Sequence, residues 1–230
     1  MALGDDLRAE VATIFTKNWT SRDGTVVPTP ESIKLGNDAV KLQGAVLYAD
    51  LADSTSLVMS QKAHFAAEIY KAYLHCAAKV VKSEGGEITA FDGDRIMAVF
   101  TGASKRTSAA KAALKINYAR VKIVNPALEK QYGEGIYTVE HGVAVDTSDL
   151  FVARIGVRGS NDLVWVGRAA NYAAKLATER ANPLWITGDV YDKMRPDARI
   201  SSDGRPIWSP FTWTKMNNMR IFGSTWTWTI

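Results

Sequence analysis

Two stretches of the chain, AVLYADLADST at residues 45–55 and TAFDGDRIMAVF at residues 89–100, decide how it folds. In each of them an aspartate lies beside an apolar run: Asp50 follows one run and Asp94 precedes the other. A continuous apolar run of this kind is typical of a central strand with both faces covered. Carboxylates at the ends of two neighbouring strands project where a ligand can reach them. Two such side chains can hold divalent metal ions.

The residues around these stretches predict alternating strands and helices. Residues 53–83 have apolar residues at helical spacing, and residues 87–90 and 95–100 predict a hairpin with Asp94 at its tip. The other predicted elements are helices at 104–124, ended by Pro126, and at 168–180, and strands at 136–145, 151–158 and 163–166. The order of strand, helix, strand, strand, helix, strand is ferredoxin-like. It predicts an α+β fold, an antiparallel sheet with helices on one face.

The two ends of the chain read differently from this centre. Residues 1–37 predict an N-terminal helix and an arm rich in Gly and Pro, and residues 38–230 predict a single catalytic domain. At the other end, residues 211–230 alternate aromatic and polar side chains, which predicts a terminal hairpin with the tryptophans on one face of a sheet.

The composition is that of an ordinary globular protein: 230 residues, 47% hydrophobic and 23% charged. The net charge of +4 is scattered along the chain, so it does not indicate nucleic-acid binding. Cys76 is the only cysteine, which excludes an intramolecular disulfide. No run approaches the ~20 apolar residues of a membrane span, and we expect a cytoplasmic protein without a membrane part. The three histidines are dispersed and indicate ordinary core or surface positions.

Four motifs, taken in order, resemble the catalytic domain of the class III nucleotide cyclases. They are LYADLADST, FDGDRIMAVF, VEHGVAVDTSDLFVARIG and LVWVGRAANYAAKL, and the resemblance extends from about residue 40 to the C-terminus. It implies an enzyme that cyclises a nucleoside triphosphate and releases pyrophosphate. It also implies two divalent ions per site, Mn²⁺ or Mg²⁺, held by Asp50 and Asp94 with the backbone carbonyl of Leu51 as a further contact.

The resemblance also assigns three residues to the sugar and the phosphates. Asn171 matches the asparagine that orients the ribose. Lys175 lies four residues later on the same helical face, at a position where the family has an arginine that stabilises the pentavalent phosphorus. Lysine keeps the positive charge and loses the bidentate geometry. Lys215 matches the lysine that binds the terminal phosphates, although the glycine that flanks it in the family is missing here.

The base-reading positions depart most from the family. Adenylate cyclases carry a lysine at the position of Ala90 and an aspartate or threonine at that of Val164, and neither residue here can hydrogen-bond a purine through its side chain. Tyr48 and Arg95, beside the two metal aspartates, remain to contact the base. An arginine can donate to the carbonyls of a pyrimidine. These features resemble the pyrimidine cyclases of the bacterial Pycsar antiphage system.

That resemblance implies a pyrimidine cyclase whose product signals infection to a cyclic-nucleotide-binding effector. Uracil has two carbonyl acceptors and cytosine one, so Arg95 favours UTP over CTP. A cytidylate cyclase, an adenylate cyclase with an atypical pocket and a non-catalytic nucleotide-binding module remain alternatives. In the family the active site forms between two subunits. One chain here carries both residue sets, which implies a homodimer with two equivalent sites.

Overall fold

The structure, a computed structural model, describes residues 2–230 and is built on one nine-stranded sheet. The strands are β1 Thr20–Asp23, β2 Asp38–Leu51, β3 Glu87–Asp92, β4 Arg95–Phe100, β5 His141–Val157, β6 Ser160–Val166, β7 Leu184–Thr187, β8 Ser209–Trp213 and β9 Met219–Ser224. The helices are α1 Leu3–Thr16, α2 Ser54–Ser60, α3 Ala63–Ser83, α4 Lys105–Ala119, α5 Asn125–Tyr132, α6 Arg168–Leu176 and α7 Gly188–Lys193. None of the described helices is long and apolar enough to cross a membrane.

The sheet confirms the predicted α+β class with mostly antiparallel pairing. Its order is β3-β4-β2-β5-β7-β9-β8, with β1 also paired to β2 and β6 to β5. β2 lies between β4 and β5 and is antiparallel to both, whereas β7 runs parallel to β5. The two stretches that open the sequence argument therefore lie side by side at the centre of the sheet.

Helices cover both faces of the sheet, not the one face that was predicted. Along β2, Leu47 and its alternate neighbours face the core that contains α3 and α4. Val46 faces a second core that contains Ala169 and Ala173 of α6. Because β2 is apolar on both faces, each face needs its own cover. The small alanines of α6 let this helix lie close to the strands.

Several predicted boundaries were wrong. The helix predicted over 53–83 is two helices, α2 and α3, and the helix predicted over 168–180 ends at Leu176. The strands predicted at 136–145 and 151–158 are one continuous strand, β5, which begins only at His141. The helix predicted to end before Pro126 continues into α5. A π-helical turn at Arg120–Val124 precedes the proline, which then occupies the first turn of α5, where a missing amide donor is tolerated.

The C-terminal hairpin was predicted correctly, but the last residues do not belong to it. β8 pairs with β9, which ends at Ser224. Trp226 and Trp228 follow outside any strand and pack against the core that contains α4. The alternation of Trp and Thr thus arises from a docked tail and not from a sheet face.

The N-terminal segment contributes to the sheet as well as to the surface. α1 has no buried residue, whereas β1 pairs in parallel with the start of β2 and Ile33 is fully buried. The division of the chain at residue 38 stays a prediction.

Candidate active site

Three residues at the end of β2 and the tip of the β3–β4 hairpin form what we call the carboxylate edge: Asp50, Leu51 and Asp94. Asp50 is paired with Arg95 across the β2–β4 ladder. The Leu51 amide donates to the Asp94 carbonyl at 3.4 Å, which joins the end of β2 to the hairpin tip. The structure thus brings the three predicted metal ligands together, and their role as ligands remains a prediction.

The two carboxylates of this edge are not neutralised within the chain. Burial raises the pKa of Asp50 to about 6, and the negative charge of Asp94 acts in the same direction. The positive charges of Arg95 and Arg180 oppose this shift. Among residues 2–230, no donor hydrogen-bonds to the side chain of Asp50 or Asp94. The edge therefore favours a cation that would relieve the repulsion between the carboxylates.

The residues of the carboxylate edge fit divalent ions that bind together with a phosphate substrate. The described residues contain no group of three or more His, Cys, Asp or Glu side chains that could hold a metal ion by themselves. The edge offers two carboxylates and one backbone carbonyl. Mg²⁺ typically binds through one or two carboxylates and completes its coordination with water and substrate phosphates, and Mn²⁺ accepts the same oxygen ligands.

A cavity of about 260 Å³, which we call the side pocket, lies next to this edge and is lined by Tyr48, Ala90, Asp92, Arg95 and Met97. Pockets that enclose a whole small ligand usually measure ~300–1,000 Å³. The side pocket therefore has room for one ring rather than for a complete nucleotide. It contains three of the predicted base-contacting residues, and it adds Asp92 and Met97.

The polar groups of the side pocket are held in place by neighbouring side chains. The Tyr48 hydroxyl donates to the Met97 Sδ at 3.1 Å, and burial raises the pKa of Tyr48. Arg95 is ion-paired with Asp92, whose Oδ2 accepts a hydrogen bond of 3.1 Å from Nε and lies 2.9 Å from Nη2. Ala90 adds only a methyl group and follows a bulge in the β3–β4 ladder.

Val164 does not line the side pocket of its own chain. On β6, Leu163 and Trp165 pack on the core that includes Tyr48 and Ala90, so alternation turns Val164 to the other face. There it lines a groove between α1 and the β5–β6 hairpin. Its assignment to base recognition stays a prediction.

Asn171 and Lys175 lie on the exposed face of α6, opposite the buried alanines. No residue of α6 lines the side pocket. The charges that act most strongly on Asp50 are those of Asp94, Arg95, Arg180 and Asp92, and Lys175 is not among them. Within one chain, neither predicted catalytic side chain therefore lines the side pocket.

Comparison with known proteins gives two full-length relatives. A uridylate cyclase of Burkholderia cepacia is 49% identical over 232 residues, spanning 100% of both chains. A uridylate cyclase of Xanthomonas perforans is 46% identical over 231 residues, again spanning 100% of both. The chain belongs to the uridylate cyclase family. It is a nucleotide cyclase, a phosphorus–oxygen lyase.

The fold of this cyclase is shared with solved cyclase structures. The guanylyl cyclase Cya2 superposes with a TM-score of 0.67 at 17% identity, covering 82% of this chain and 94% of that chain. No family model matches the chain. The predicted cyclase fold is thus confirmed.

Lys215 of the cyclase lies in the short turn Thr214–Met216 between β8 and β9 and is ion-paired. Its Nζ donates to both carboxylate oxygens of Glu179, at 2.9 and 3.1 Å, and Glu179 also accepts from the Trp213 indole at 2.9 Å. Because the lysine side chain is 73% exposed, this pair contributes little to stability. The role of Lys215 in phosphate binding stays a prediction.

The close contact between the segment after α6 and β5 places the Arg180 guanidinium near Asp50, and sequence reasoning missed this residue. A Cβ on Gly142 would lie 1.8 Å from the Ala177 carbonyl oxygen, so only glycine allows the segment after α6 to lie this close. The Arg180 guanidinium donates to the same carbonyl at 2.9 Å. Its charge reaches Asp50 and opposes the rise in the pKa of that group. Nothing in the sequence LATER distinguishes Arg180 as a site residue.

Proposed function

We propose that this cyclase converts UTP into 3′,5′-cyclic UMP and pyrophosphate. The observation that carries the proposal is the side pocket, in which Asp92 holds the Arg95 guanidinium beside Tyr48. Uracil presents two carbonyl oxygens to which a guanidinium can donate. Cytosine presents one, which makes CTP the second candidate. The full-length relatives that are named uridylate cyclases support the same choice.

Two features of the side pocket oppose a purine. Its volume of about 260 Å³ suits one ring, and Tyr48 occupies part of the space beside β2. Ala90 offers no hydrogen bond where a purine-reading side chain would be needed. A site discriminates strongly only when it is built to pair with the polar edge of its substrate, so a purine gains little here.

The residues around the phosphates then carry the reaction. Asp50, Asp94 and the Leu51 carbonyl would hold two divalent ions, Mn²⁺ or Mg²⁺. Bound there, such ions lower the pKa of the ribose 3′ hydroxyl and neutralise charge on the leaving pyrophosphate. Asn171 orients the ribose by hydrogen bonds from its amide. Lys175 stabilises the negative charge of the pentavalent α-phosphorus as a point charge, without the two-point contact of an arginine.

Lys215 completes the binding of the triphosphate. Its ammonium group exchanges Glu179 for the terminal phosphates, and the carboxylate of Glu179 keeps the Trp213 indole as a donor. The lysine thus remains close to its resting position when the substrate is bound.

The exposed position of Asn171 and Lys175, neither of which lines the side pocket, supports a homodimer in which each site uses both subunits. One subunit provides the carboxylate edge, and the other provides Asn171 and Lys175. Mixing Asp50→Ala chains with Asn171→Ala chains tests this arrangement. Random pairing should restore roughly a quarter of wild-type turnover, because half the dimers regain one of two sites. If the mixture is as inactive as either variant, the shared site is wrong.

The resemblance to the Pycsar cyclases supports a role for cyclic UMP in antiphage defence. In this role the cyclase acts in the cytoplasm, and the cyclic nucleotide reaches an effector that binds it.

The test of the reaction is to incubate the purified protein with Mn²⁺ and each of the four nucleoside triphosphates and to identify products by mass. Cyclic UMP should dominate, and Asp94→Ala should give no product. Dominant cyclic CMP would move the assignment to a cytidylate cyclase. Dominant cyclic AMP would overturn the pyrimidine assignment, and no product with any substrate would favour a binding module.

Arg95→Ala tests base recognition separately from turnover. We expect the preference for UTP over the other triphosphates to fall about tenfold or more, because the base loses its charged donor. Arg205→Ala is the matched control, since it removes an exposed arginine from a comparable pair with Asp203. A full preference for UTP in Arg95→Ala would show that Arg95 does not read the base.

A further inference from the structure

A buried chain of polar side chains lies directly behind the carboxylate edge. The Tyr73 hydroxyl of α3 is 3.1 Å from His141 Nδ1, and His141 Nε2 is 3.1 Å from Asn117 Oδ1 of α4. The three residues are 1%, 3% and 1% exposed. His141 is the first residue of β5 and is paired across the ladder with Leu51. The chain thus reaches from the core to the strand that carries the predicted metal ligands.

The hydrogen bonds of this chain have one direction. The Asn117 Nδ2 donates to the carbonyls of Thr225 at 3.2 Å and Trp226 at 2.9 Å, which fixes the orientation of the amide. Asn117 Oδ1 is then an acceptor, and it accepts from Arg120 Nε at 3.2 Å and from His141 Nε2. With its proton on Nε2, His141 accepts at Nδ1 from the Tyr73 hydroxyl.

One end of this hydrogen-bonded network, at Tyr73, lies near the carboxylates of Asp50 and Asp94. Burial raises the pKa of Tyr73 well above its usual value, and the charge of Asp50 adds to this effect more than that of Asp94. The phenol is therefore close enough to the carboxylate edge to respond to its charge. The backbone next to His141 is also bound to this edge, because the Ala52 amide donates to the Glu140 carbonyl at 2.9 Å.

At its other end, the hydrogen-bonded network of Tyr73, His141 and Asn117 reaches the C-terminal tail, residues 225–230. Besides the two carbonyls held by Asn117, the Trp228 amide donates to the Leu114 carbonyl at 3.2 Å. The Lys111 ammonium lies 4.8 Å from the centre of the Trp228 ring. The tail is therefore docked along α4 by its backbone as well as by its aromatic rings.

A core without polar atoms would be simpler to build at this position. Burying hydroxyl, imidazole and amide groups has a desolvation cost that their mutual hydrogen bonds only offset. A fully satisfied buried network instead fixes one arrangement of the elements it joins. The elements joined here are α3, α4, the start of β5 and the tail.

We propose that Tyr73, His141 and Asn117 are positioning residues that set the backbone of the carboxylate edge and couple it to the C-terminal tail. The inference rests on the proposed function, because it takes Asp50 and Leu51 as metal ligands. Ion binding at the carboxylate edge then slows hydrogen exchange in the tail. Conversely, removal of any of the three hydrogen-bonded side chains weakens ion binding.

Tyr73→Phe is the sharpest test, because it removes one hydroxyl and keeps the shape of the ring. The matched control is Thr147→Val, which removes another buried hydroxyl, bonded to the Gly44 carbonyl at 2.8 Å. Gly44 is about 20 Å along β2 from Asp50. Two properties are measured on the full-length protein with 3′-deoxy-UTP, which completes the ion site but lacks the attacking hydroxyl: Mn²⁺ affinity, and hydrogen exchange in a peptide covering residues 225–230.

We expect Mn²⁺ to slow exchange in the tail of the wild type and of Thr147→Val. In Tyr73→Phe, Mn²⁺ affinity should fall several-fold and the ion should no longer slow exchange in the tail. Wild-type values for both properties in Tyr73→Phe would overturn the inference and leave the proposed function intact. If the wild type binds no Mn²⁺, or Asp50→Ala binds it equally well, the metal assignment fails and the inference fails with it.

If Tyr73→Phe does not fold, a second variant tests the hydrogen-bonded network at the residue that contacts the tail. Asn117→Ser withdraws the two bonds to the tail carbonyls, and Mn²⁺ affinity should again fall while the tail exchanges faster. Unchanged Mn²⁺ affinity with a released tail would show that the tail and the edge are independent.

Discussion

Two aspartates on adjacent central strands, one fully buried and one half-buried, have opposite surroundings. Asp146 of β5 is fully buried, and Arg168 binds both of its oxygens at 3.1 and 3.2 Å while Thr187 donates to it at 2.5 Å. Asp50 of β2 lies about 13 Å farther along the sheet and has no such donor. Asp146 completes an internal network, whereas the charge of Asp50 is left for something from outside the chain. The contrast separates a structural carboxylate from the one that we propose as a metal ligand.

Turnover should separate the two aspartates most strongly. Asp50→Asn should lower kcat on the order of a thousandfold, because the edge loses a charged ligand where ions must neutralise phosphate charge. Asp146→Asn should keep kcat per folded molecule close to that of the wild type. The measurement is single-substrate kinetics with UTP and Mn²⁺, corrected for the folded fraction. Equal losses in the two variants would abolish the distinction.

Stability should separate them in the opposite sense. Asp146→Asn leaves the Arg168 guanidinium with only Asp189 as a charged partner. Burial raises the pKa of Asp146 too, but hydrogen bonds from Thr187 and Arg168 oppose that shift, and their loss should cost about 2 kcal/mol in the free energy of unfolding. Urea denaturation at neutral pH measures this loss. Thr187→Val, which removes one donor and leaves the ion pair, is the control and should cost less. A loss below that of the control would mean that Asp146 is not held as its contacts suggest.

The ion-free protein should become more stable when Asp50 is neutralised. Since the folded protein raises the pKa of Asp50 from 3.8 to about 6, the stability that this group contributes is complete below pH 3.8 and lost as the pH rises through 6. Asp50→Asn in EDTA should therefore gain about 2 kcal/mol at pH 8, and the gain should fade towards pH 4. Thermal unfolding at a series of pH values checks this. A gain in stability that does not change with pH would show that it does not arise from the raised pKa of Asp50.

The smallest effect is expected at Asp92, which lies between the two cases because it is paired but exposed. Asp92→Asn should change the free energy of unfolding by less than about 1 kcal/mol, since its ion pair with Arg95 faces solvent. It should nevertheless lower kcat/KM for UTP a few-fold, because Arg95 is no longer held toward the side pocket. Kinetics with UTP and CTP in parallel test this. An unchanged kcat/KM would show that Arg95 needs no such support.

The central part of this comparison was predictable from local patterns. The apolar run before Asp50, the FDGD turn and the helix with Asn171 each show their character within a dozen residues. The register of β2 with β4 then brings Asp50 and Asp94 together, as expected of aspartates at the ends of neighbouring strands. Helical spacing also placed Asn171 and Lys175 on one face.

The parts that sequence reasoning missed depend on contacts between distant residues. Tyr73 and His141 are 68 positions apart, and Asn117 meets Trp226 across 109. No local pattern indicates such pairs. The merger of two predicted strands into β5 and the docking of the tail on α4 likewise depend on tertiary packing. Met97 was missed because its apolar side chain reads as core until the Tyr48 hydroxyl is seen to donate to it.

The bulge between Ile88 and Ala90 has a consequence for the evolution of these enzymes. Strict strand pairing is already interrupted there, so a longer side chain at position 90 can enter the side pocket without shifting β4 or the carboxylate edge. On the proposed mode of base recognition, a single substitution at position 90 would thus change substrate preference while the carboxylate edge is preserved.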